Sequence, residues 1–233
     1  MNKEEFLLET KKINIDITED IYNKLEEYYK LLISWNEKMN LTGITDHEEV
    51  YLKHFYDSLT MNKIIKLDNQ SILDIGTGAG FPGLVLKIVF RELKITLLDS
   101  LGKRCIFLKE VIKELNLKDV EVINDRAEIY ARKNSDKFDI VTSRAVANLR
   151  HLLEFSSPTT KVNGFIICYK GKIEEELQDS KNAITTLSLS LEEELKFNLP
   201  IIKDNRTLLK FKKLKPTYLI YPRDYKDIKA KPL

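Results

Sequence analysis

Residues 71–83 read SILDIGTGAGFPG, a short apolar run that leads directly into a loop with four glycines. Glycine lets the backbone turn tightly and lets a ligand approach the main chain closely. Pro82 suits the first turn of a helix, where its missing N–H costs nothing. The segment therefore predicts a strand, a ligand-binding loop and a helix in succession. A tight turn without a ligand is the structural alternative, and the βαβ pattern around the segment disfavours it.

Strands and helices alternate along the chain that follows this loop. The predicted strands are 71–75, 94–98, 120–123, 138–142 and 164–169, with a late strand at 208–214, and the predicted helices are 84–90, 103–115 and 173–189. This alternation is typical of a parallel sheet with helices on both faces. The chain from Pro216 onward holds three of the six prolines, which predicts an irregular tail.

Two helices are predicted before the first strand. Residues 18–39 carry apolar side chains at spacings of three and four, and Thr18 is placed to cap the helix. A second helical stretch covers residues 46–65. We therefore predict an N-terminal helical cap at residues 1–66 and a ligand-binding α/β domain at residues 67–233, which ends in a basic tail.

The composition excludes several classes of protein. A chain of 233 residues with 43% hydrophobic and 32% charged residues is an ordinary globular protein, not a disordered or fibrous one. It contains no run of roughly 20 apolar residues that would span a membrane, and its first residues lack the apolar core of a signal peptide. Cys105 and Cys168 form no CxxC pair, which predicts a reducing, cytoplasmic environment.

Charge is distributed unevenly along the chain. The formal net charge is +2, but residues 196–233 hold eleven basic and three acidic side chains. A basic tail on an acidic body suggests a polyanion as partner, and a solvated lysine-rich edge explains the pattern equally well. His47, His54 and His151 lack the spacing of metal ligands, so no metal site is predicted. A hydrolytic triad around His54 is rejected, because neither a nucleophile elbow nor an oxyanion hole is visible.

Two kinds of nucleotide fit the glycine loop. The GAGFPG at 78–83, with Asp99 about 20 residues further on, matches the fingerprint for a dinucleotide. Asp74, however, would face the pyrophosphate of a dinucleotide, whereas it suits the cationic amino-acid end of S-adenosylmethionine. In that interpretation Asp74 attracts the methionine end and Asp99 binds the ribose hydroxyls. The predicted cofactor contacts from this part of the chain are Asp74, Gly76, Gly78, Gly80 and Asp99.

Further candidate residues follow the third, fourth and fifth predicted strands. Ala127 and Glu128 would lie beside the adenine in a methyltransferase sheet. Arg144 ends the fourth strand, and because open α/β sheets bind ligands at the carboxyl ends of their strands, we expect it to point into the site. The candidate contacts to RNA phosphates are Lys103, Arg104, Arg144, Lys170 and Arg223. A solvated surface charge is an equally good explanation for most of them.

These motifs together resemble the RsmG (GidB) family of bacterial 16S rRNA guanine-N7 methyltransferases. The resemblance rests on Trp35-Asn36, Asn40-Leu41-Thr42, His54 with Asp57-Ser58, DIGTGAGFPG from Asp74, LLDSLGKR at 97–104, Phe107-Leu108, Arg126-Ala127-Glu128, SRAVA at 143–147, Lys170-Gly171 and Tyr221-Pro222-Arg223. It implies a Rossmann-like class I S-adenosylmethionine-dependent methyltransferase with a seven-stranded, mostly parallel sheet whose last strand is antiparallel. It also implies that Gly76, Phe81, Ala127, Glu128 and Arg144 bind the cofactor.

The resemblance further implies a guanine in the 530 loop of 16S rRNA, at position 527 in the usual rRNA numbering, as the methyl acceptor. Guanine N7 has a free lone pair and loses no proton when it attacks a methyl group, so we expect alignment of the reactants and no catalytic base. The expected partner is 16S rRNA, the small ribosomal subunit or its precursor, and we expect a monomer. An NAD-dependent oxidoreductase, a non-catalytic RNA-binding module and a methyltransferase for a small molecule or a protein remain as alternatives.

Overall fold

The computed structural model describes residues 1–144 and 147–233, and within them seven strands form one sheet. The strands are β1 (Ser71–Ile75), β2 (Lys94–Asp99), β3 (Val120–Asn124), β4 (Phe138–Arg144), β5 (Thr160–Lys170), β6 (Leu189–Asn198) and β7 (Asn205–Lys213). Their order across the sheet is β3-β2-β1-β4-β5-β7-β6. The first five strands pair in parallel, whereas β7 runs antiparallel to both β5 and β6. The predicted mostly parallel α/β sheet is therefore confirmed.

Helices cover both faces of this sheet and precede it along the chain. The α-helices are α1 (Lys3–Lys12), α2 (Glu19–Met39), α3 (His47–Val50), α4 (Asp57–Leu59), α5 (Gly83–Val89), α6 (Gly102–Glu114), α7 (Ala127–Lys133), α8 (Leu149–Ser156), α9 (Glu174–Asp179), α10 (Lys181–Thr186) and α11 (Tyr225–Ala230). A π-helical turn (Tyr51–Tyr56) links α3 to α4, and a 3₁₀ turn (Thr60–Lys63) follows α4. None of the described helices is both long and apolar enough to cross a membrane.

The helix predicted at 18–39 is confirmed as α2. Thr18 caps it by accepting a hydrogen bond from the Ile21 amide, and its apolar stripe is buried through Leu25, Tyr28 and Leu32. These side chains belong to the same apolar cluster as residues of β1, β2 and α5. The N-terminal helices are therefore packed onto the sheet, directly beside the glycine loop. The division between residues 66 and 67 stays a prediction.

Several parts of the chain differ from the sequence-based expectation. The single helix expected at 46–65 is interrupted by the π-helical turn, and the helix expected at 173–189 is two short helices that meet at Ser180. Helix α1 was not predicted, and α11 lies in the supposedly irregular tail. Strand β6 has no counterpart among the strands predicted from the residues, because its exposed edge alternates charged and half-buried side chains and gives only a weak apolar signal.

Candidate active site

The glycine loop after β1 has a backbone that needs its glycines. Gly76, Gly78 and Gly80 all have positive φ angles, of 65°, 61° and 101°, a region that L-residues with side chains seldom adopt. A Cβ atom on Gly80 would also lie 2.5 Å from both the Leu84 Cδ1 and the Tyr28 hydroxyl oxygen. A Cβ atom on Gly78, in contrast, would meet nothing closer than 4.0 Å. The loop is therefore closed on the side of the helices and open at Gly78.

Asp74 lies under this loop and is completely buried. Its Oδ2 accepts hydrogen bonds from the Thr77 hydroxyl at 2.6 Å and from the Gly83 amide at 2.9 Å. Its Oδ1 is buried without a partner among the described residues, and a buried acceptor without a donor is unfavourable. Burial raises the pKa of the Asp74 carboxyl to about 7. An ammonium group that donates to Oδ1 would give this oxygen a partner and would stabilise the ionised carboxylate. The site therefore fits the cationic amino-acid end of S-adenosylmethionine.

Asp99, at the end of β2, is also buried, and the protein itself uses both of its oxygens. Its Oδ2 accepts from the Gly78 amide at 2.9 Å and its Oδ1 from the Leu101 amide at 2.9 Å. The Arg104 guanidinium lies 3.3 Å from Oδ2. Asp99 therefore holds the open part of the glycine loop in place. Oδ2 thus has two donors, whereas Oδ1 keeps one lone pair without a donor among the described residues. The predicted contact to ribose hydroxyls stays a prediction.

Ala127 and Glu128 begin α7, next to the end of β3. Because Asn124 of β3 pairs with Asp99 in the parallel ladder, these residues lie at the same edge of the sheet as Asp99. Glu128 is buried and forms an ion pair with Arg126. The predicted cofactor residues from β1, β2 and β3 are thus neighbours along one edge, in the order of the strands.

Arg144 ends β4 at this edge and is held by three acceptors from one helical segment. Its Nη1 donates to the Lys53 carbonyl at 2.9 Å and to Asp57 Oδ2 at 3.1 Å, and its Nη2 lies 3.1 Å from His54 Nδ1. The guanidinium carbon is 5.1 Å from the centre of the Phe81 ring. The Lys53 carbonyl belongs to the π-helical turn, a distortion that is frequent at functional sites. Arg144 thus connects the glycine loop to the N-terminal helices.

His54 stacks on Phe81, with ring centres 4.4 Å apart and planes 18° from parallel. An arginine only donates hydrogen bonds, so His54 Nδ1 must accept and the ring proton resides on Nε2, which is 2.9 Å from the Thr42 hydroxyl. Burial, together with the positive charge of Arg144, lowers the pKa of His54 to about 3. The ring is therefore neutral at physiological pH and is an aromatic surface without charge.

A cavity of about 490 Å³ opens beside Arg144, at the ends of β4, β5 and β7. Its lining residues are Ile44, Lys53, His54, Asp57, Arg144, Tyr169, Lys170, Gly171, Asp204 and Arg206. Sequence reasoning gave no role to Asp57 or Arg206, although Asp57 was among the residues that carried the family resemblance. No short-range pattern could have shown that Asp57 and Arg206 meet.

Of the other residues predicted to contact RNA, Lys170 lines the cavity, whereas Arg223 does not. Lys170 lines the cavity and binds Glu176 Oε1 at 2.7 Å. Lys103, at the start of α6, donates to the Met39 carbonyl at 3.3 Å. Arg223 is not among the cavity-lining residues, and its guanidinium and amide both bind the fully buried Glu154. Ala145 and Val146 of the SRAVA motif lie outside the described residues. The contacts to cofactor and RNA stay predictions.

No cluster of three or more potential metal-ligating side chains occurs in the part of the chain that the structure describes. Three pairs of opposite charge occur in the site: Arg144 with Asp57, Lys170 with Glu176 and Arg104 with Asp99.

The family model and the similar curated proteins carry the same family description. The family model described as "GidB: rRNA small subunit methyltransferase G" matches residues 21–205. A ribosomal RNA small subunit methyltransferase G from Desulforamulus reducens is 48% identical over 217 residues, which cover 91% of this chain and 90% of that protein. The protein of the same name from Lactobacillus acidophilus is 43% identical over 240 residues, covering all of both chains.

Solved structures with low sequence identity show the same fold. A SAM-dependent methyltransferase from Aquifex aeolicus has a TM-score of 0.54 at 17% identity and covers 77% of this chain and 97% of its own. The M. jannaschii protein TYW2, solved in complex with AdoMet, has a TM-score of 0.58 at 15% identity and covers 74% of this chain and 80% of its own. The predicted Rossmann-like class I methyltransferase fold is therefore confirmed.

Proposed function

The chain belongs to the rRNA small subunit methyltransferase G family, and from this premise we propose that it transfers a methyl group from S-adenosylmethionine to N7 of a guanine in 16S rRNA. The family resemblance that was inferred from the sequence motifs is confirmed. The acceptor that this family resemblance implies is position 527 in the 530 loop. The observation that carries the proposal at the level of the site is the buried Oδ1 of Asp74, which has no partner among the described residues.

The residues around the loop support this use of the site. S-adenosylmethionine, when bound, supplies an electrophilic methyl group on a sulfonium. Asp74 offers a carboxylate to its ammonium group, the open side of Gly78 allows close approach of the ligand to the main chain, and Asp99 fixes that part of the loop. The dinucleotide alternative is less suitable, because a buried carboxylate under the loop would repel a pyrophosphate.

The reaction needs orientation more than acid–base chemistry. Guanine N7 attacks with a lone pair and releases no proton, so alignment of the nucleophile and the methyl group lowers the barrier. The methylated base carries a positive charge. The neutral His54 ring beside Phe81 adds no positive charge that would repel this product. No residue is assigned as a general base.

We propose 16S rRNA, within the small ribosomal subunit or its precursor, as the partner, and a monomer in the cytoplasm as the working form. The two unpaired cysteines are buried, in accordance with a reducing compartment.

The proposal is tested by methylation of small ribosomal subunits that lack the mark. Subunits are incubated with the protein and S-adenosylmethionine labelled in the methyl group, and the modified base is identified after digestion. We expect one label per subunit, at N7 of a single guanine, and none on subunits already methylated. Label on another base, or on no RNA at all while the protein binds the cofactor, would overturn the proposed function.

A further inference from the structure

The cavity beside Arg144 contains a buried carboxylate that the reaction itself does not require. Asp57 is only 4% exposed, and each of its oxygens accepts from a different arginine. Its Oδ2 is 3.1 Å from Arg144 Nη1, and its Oδ1 is 3.2 Å from Arg206 Nε. One carboxylate thus fixes two guanidinium groups that come from strands β4 and β7. We call Arg144, Asp57 and Arg206 the arginine bridge.

Both arginines of the bridge have further acceptors that restrict them. The Lys53 carbonyl and His54 Nδ1 accept from Arg144. Asp204 Oδ2 and the Asn205 carbonyl accept from Arg206 Nη1. Asp57 is buried and the side chains of Arg144 and Arg206 are only 13% and 21% exposed. Removing charges from water to this extent is expensive in desolvation and is rarely the most stabilising choice for a protein. An arrangement of this kind at the wall of a cavity therefore points to orientation of the two guanidinium groups.

The charge of the cavity indicates the kind of ligand that these groups meet. Four cationic side chains line it, namely Lys53, Arg144, Lys170 and Arg206, against the two carboxylates of Asp57 and Asp204. Guanidinium groups are suited to phosphate, which they bind through two parallel hydrogen bonds. The cavity is large enough for a nucleotide, and the flat His54 ring lies at its inner wall beside the glycine loop.

We propose that Asp57 is a positioning residue for methyl transfer, which holds Arg144 and Arg206 at the cavity so that both guanidinium groups contact phosphates of the RNA segment that carries the acceptor base. This inference rests on the proposed function and adds a role for Asp57 and Arg206 to it. Asp57 contacts neither the base nor the methyl group. It acts through the two arginines.

The test compares Asp57→Asn with wild type and with a matched control. The amide keeps the size of the side chain but can no longer compensate two guanidinium groups. Asp139→Asn is the control, because Asp139 is a similarly bonded carboxylate, with Lys161 at 2.7 Å and Ser71 at 2.6 Å, near the opposite end of β4. Small subunits lacking the methyl group are the RNA probe, and binding is measured at salt concentrations from about 50 to 200 mM with Mg²⁺ held constant.

We expect Asp57→Asn to lower kcat/KM for the subunit by about tenfold to a hundredfold, as misplaced contacts do. The slope of log affinity against log salt should become shallower by about 0.7 for each phosphate contact that is lost. Affinity for S-adenosylmethionine, measured by calorimetry, should fall less than affinity for the subunit, because only Arg144 among the predicted cofactor contacts is held by Asp57, while Asp74 and the glycine loop are unaffected. The Asp139→Asn control should keep the wild-type slope and kcat/KM.

Two results overturn the inference while leaving the proposed function intact. One is a wild-type salt slope in Asp57→Asn, and the other is an equal loss of cofactor and subunit affinity, which a purely structural role would cause. If Asp57→Asn does not fold, Arg206→Gln takes its place, since Asp57 then keeps Arg144 as partner. A slope unchanged in Arg206→Gln also overturns the inference. Failure of the wild-type protein to methylate the subunit overturns the proposed function instead.

Discussion

The proposed cofactor end of the site and the cavity beside Arg144 are assembled in different ways. The cofactor end consists of Asp74, the glycine loop and Asp99, which lie close together in the sequence and interact mainly through backbone amides. The cavity takes residues 53–57, Arg144 and Arg206 from three separate parts of the chain and joins them through long side chains. Substitutions in the glycine loop should therefore have large effects on stability and binding. Substitutions in the side-chain network of the cavity should have smaller effects.

The largest effect should come from adding one methyl group to the loop. Gly80→Ala puts a Cβ atom 2.5 Å from Leu84 and Tyr28 at a φ of 101°, which combines backbone strain with overpacking. We expect a loss of about 3–5 kcal/mol in the free energy of unfolding, measured with urea, and no detectable binding of the cofactor.

Gly43→Ala is the matched control for that change, because nothing lies within 4 Å of its added Cβ atom. It should stay within about 0.5 kcal/mol of wild type. A Gly80→Ala protein as stable as Gly43→Ala would show that the loop adapts, and the contrast between the two ends of the site would disappear.

Asp74→Asn should give the next largest effect, and it should be confined to the cofactor end. The amide retains the shape of the side chain but removes the charge that is offered to an ammonium group. We expect affinity for S-adenosylmethionine to fall about a hundredfold, in the range of a charge-assisted hydrogen bond. Affinity for the small subunit should remain as in wild type. An equal loss of both affinities would mean that the two ends are not separable.

The pH dependence of cofactor binding tests whether Asp74 must be ionised to bind S-adenosylmethionine. Burial raises the pKa of Asp74 to about 7, so the folded protein holds a proton there at a pH where the unfolded chain does not. That proton must leave before the carboxylate can accept from an ammonium group. Affinity for S-adenosylmethionine should fall about tenfold per pH unit below 7 and level off above it, as measured by calorimetry.

The same shift also affects stability. Because the pKa in the folded state lies above its ordinary value, protonation stabilises the fold at low pH, and this contribution is lost as the pH rises through about 7. Asp74→Asn provides the reference for both measurements, since it has no proton to lose. If the affinity of the wild-type protein for S-adenosylmethionine is constant from pH 6 to about 7, Asp74 is not the acceptor for the ammonium group.

The smallest effect should come from the rim of the cavity. Asp204 pairs with Arg206 at 3.1 Å but is more than half exposed, and such pairs contribute little to stability. Asp204→Asn removes a negative charge near the expected RNA phosphates, so affinity for the subunit should rise about twofold to fivefold at low salt. Asp68→Asn, an exposed carboxylate just before β1 (Ser71–Ile75) and away from the cavity, should change nothing. Weaker binding by Asp204→Asn would indicate that Asp204 itself contacts the RNA.

The difference between the two ends also explains what sequence reasoning could reach. Asp74 and Asp99 lie at the carboxyl ends of two consecutive strands of a recognisable βαβ unit, so their proximity follows from the fold. The contact between Asp57 and Arg206 depends on how the N-terminal helices pack against the end of β7 (Asn205–Lys213), and no short-range pattern encodes that. Arg223 shows the opposite difficulty: its sequence resembles a phosphate contact, but its partner Glu154 is distant in the chain and completely buried.

The hydrogen bonds between Arg223 and Glu154 attach the last part of the chain to the buried side of the sheet's helical layer at Glu154. Glu154 lies in α8 (Leu149–Ser156), and Arg223 encloses its carboxylate from three donors. A version trimmed to the family-matched residues 21–205 would leave the buried Glu154 carboxylate without these three donors and would remove nearly all of β7 as well. We therefore expect the segment 21–205 alone to be less stable than the whole chain.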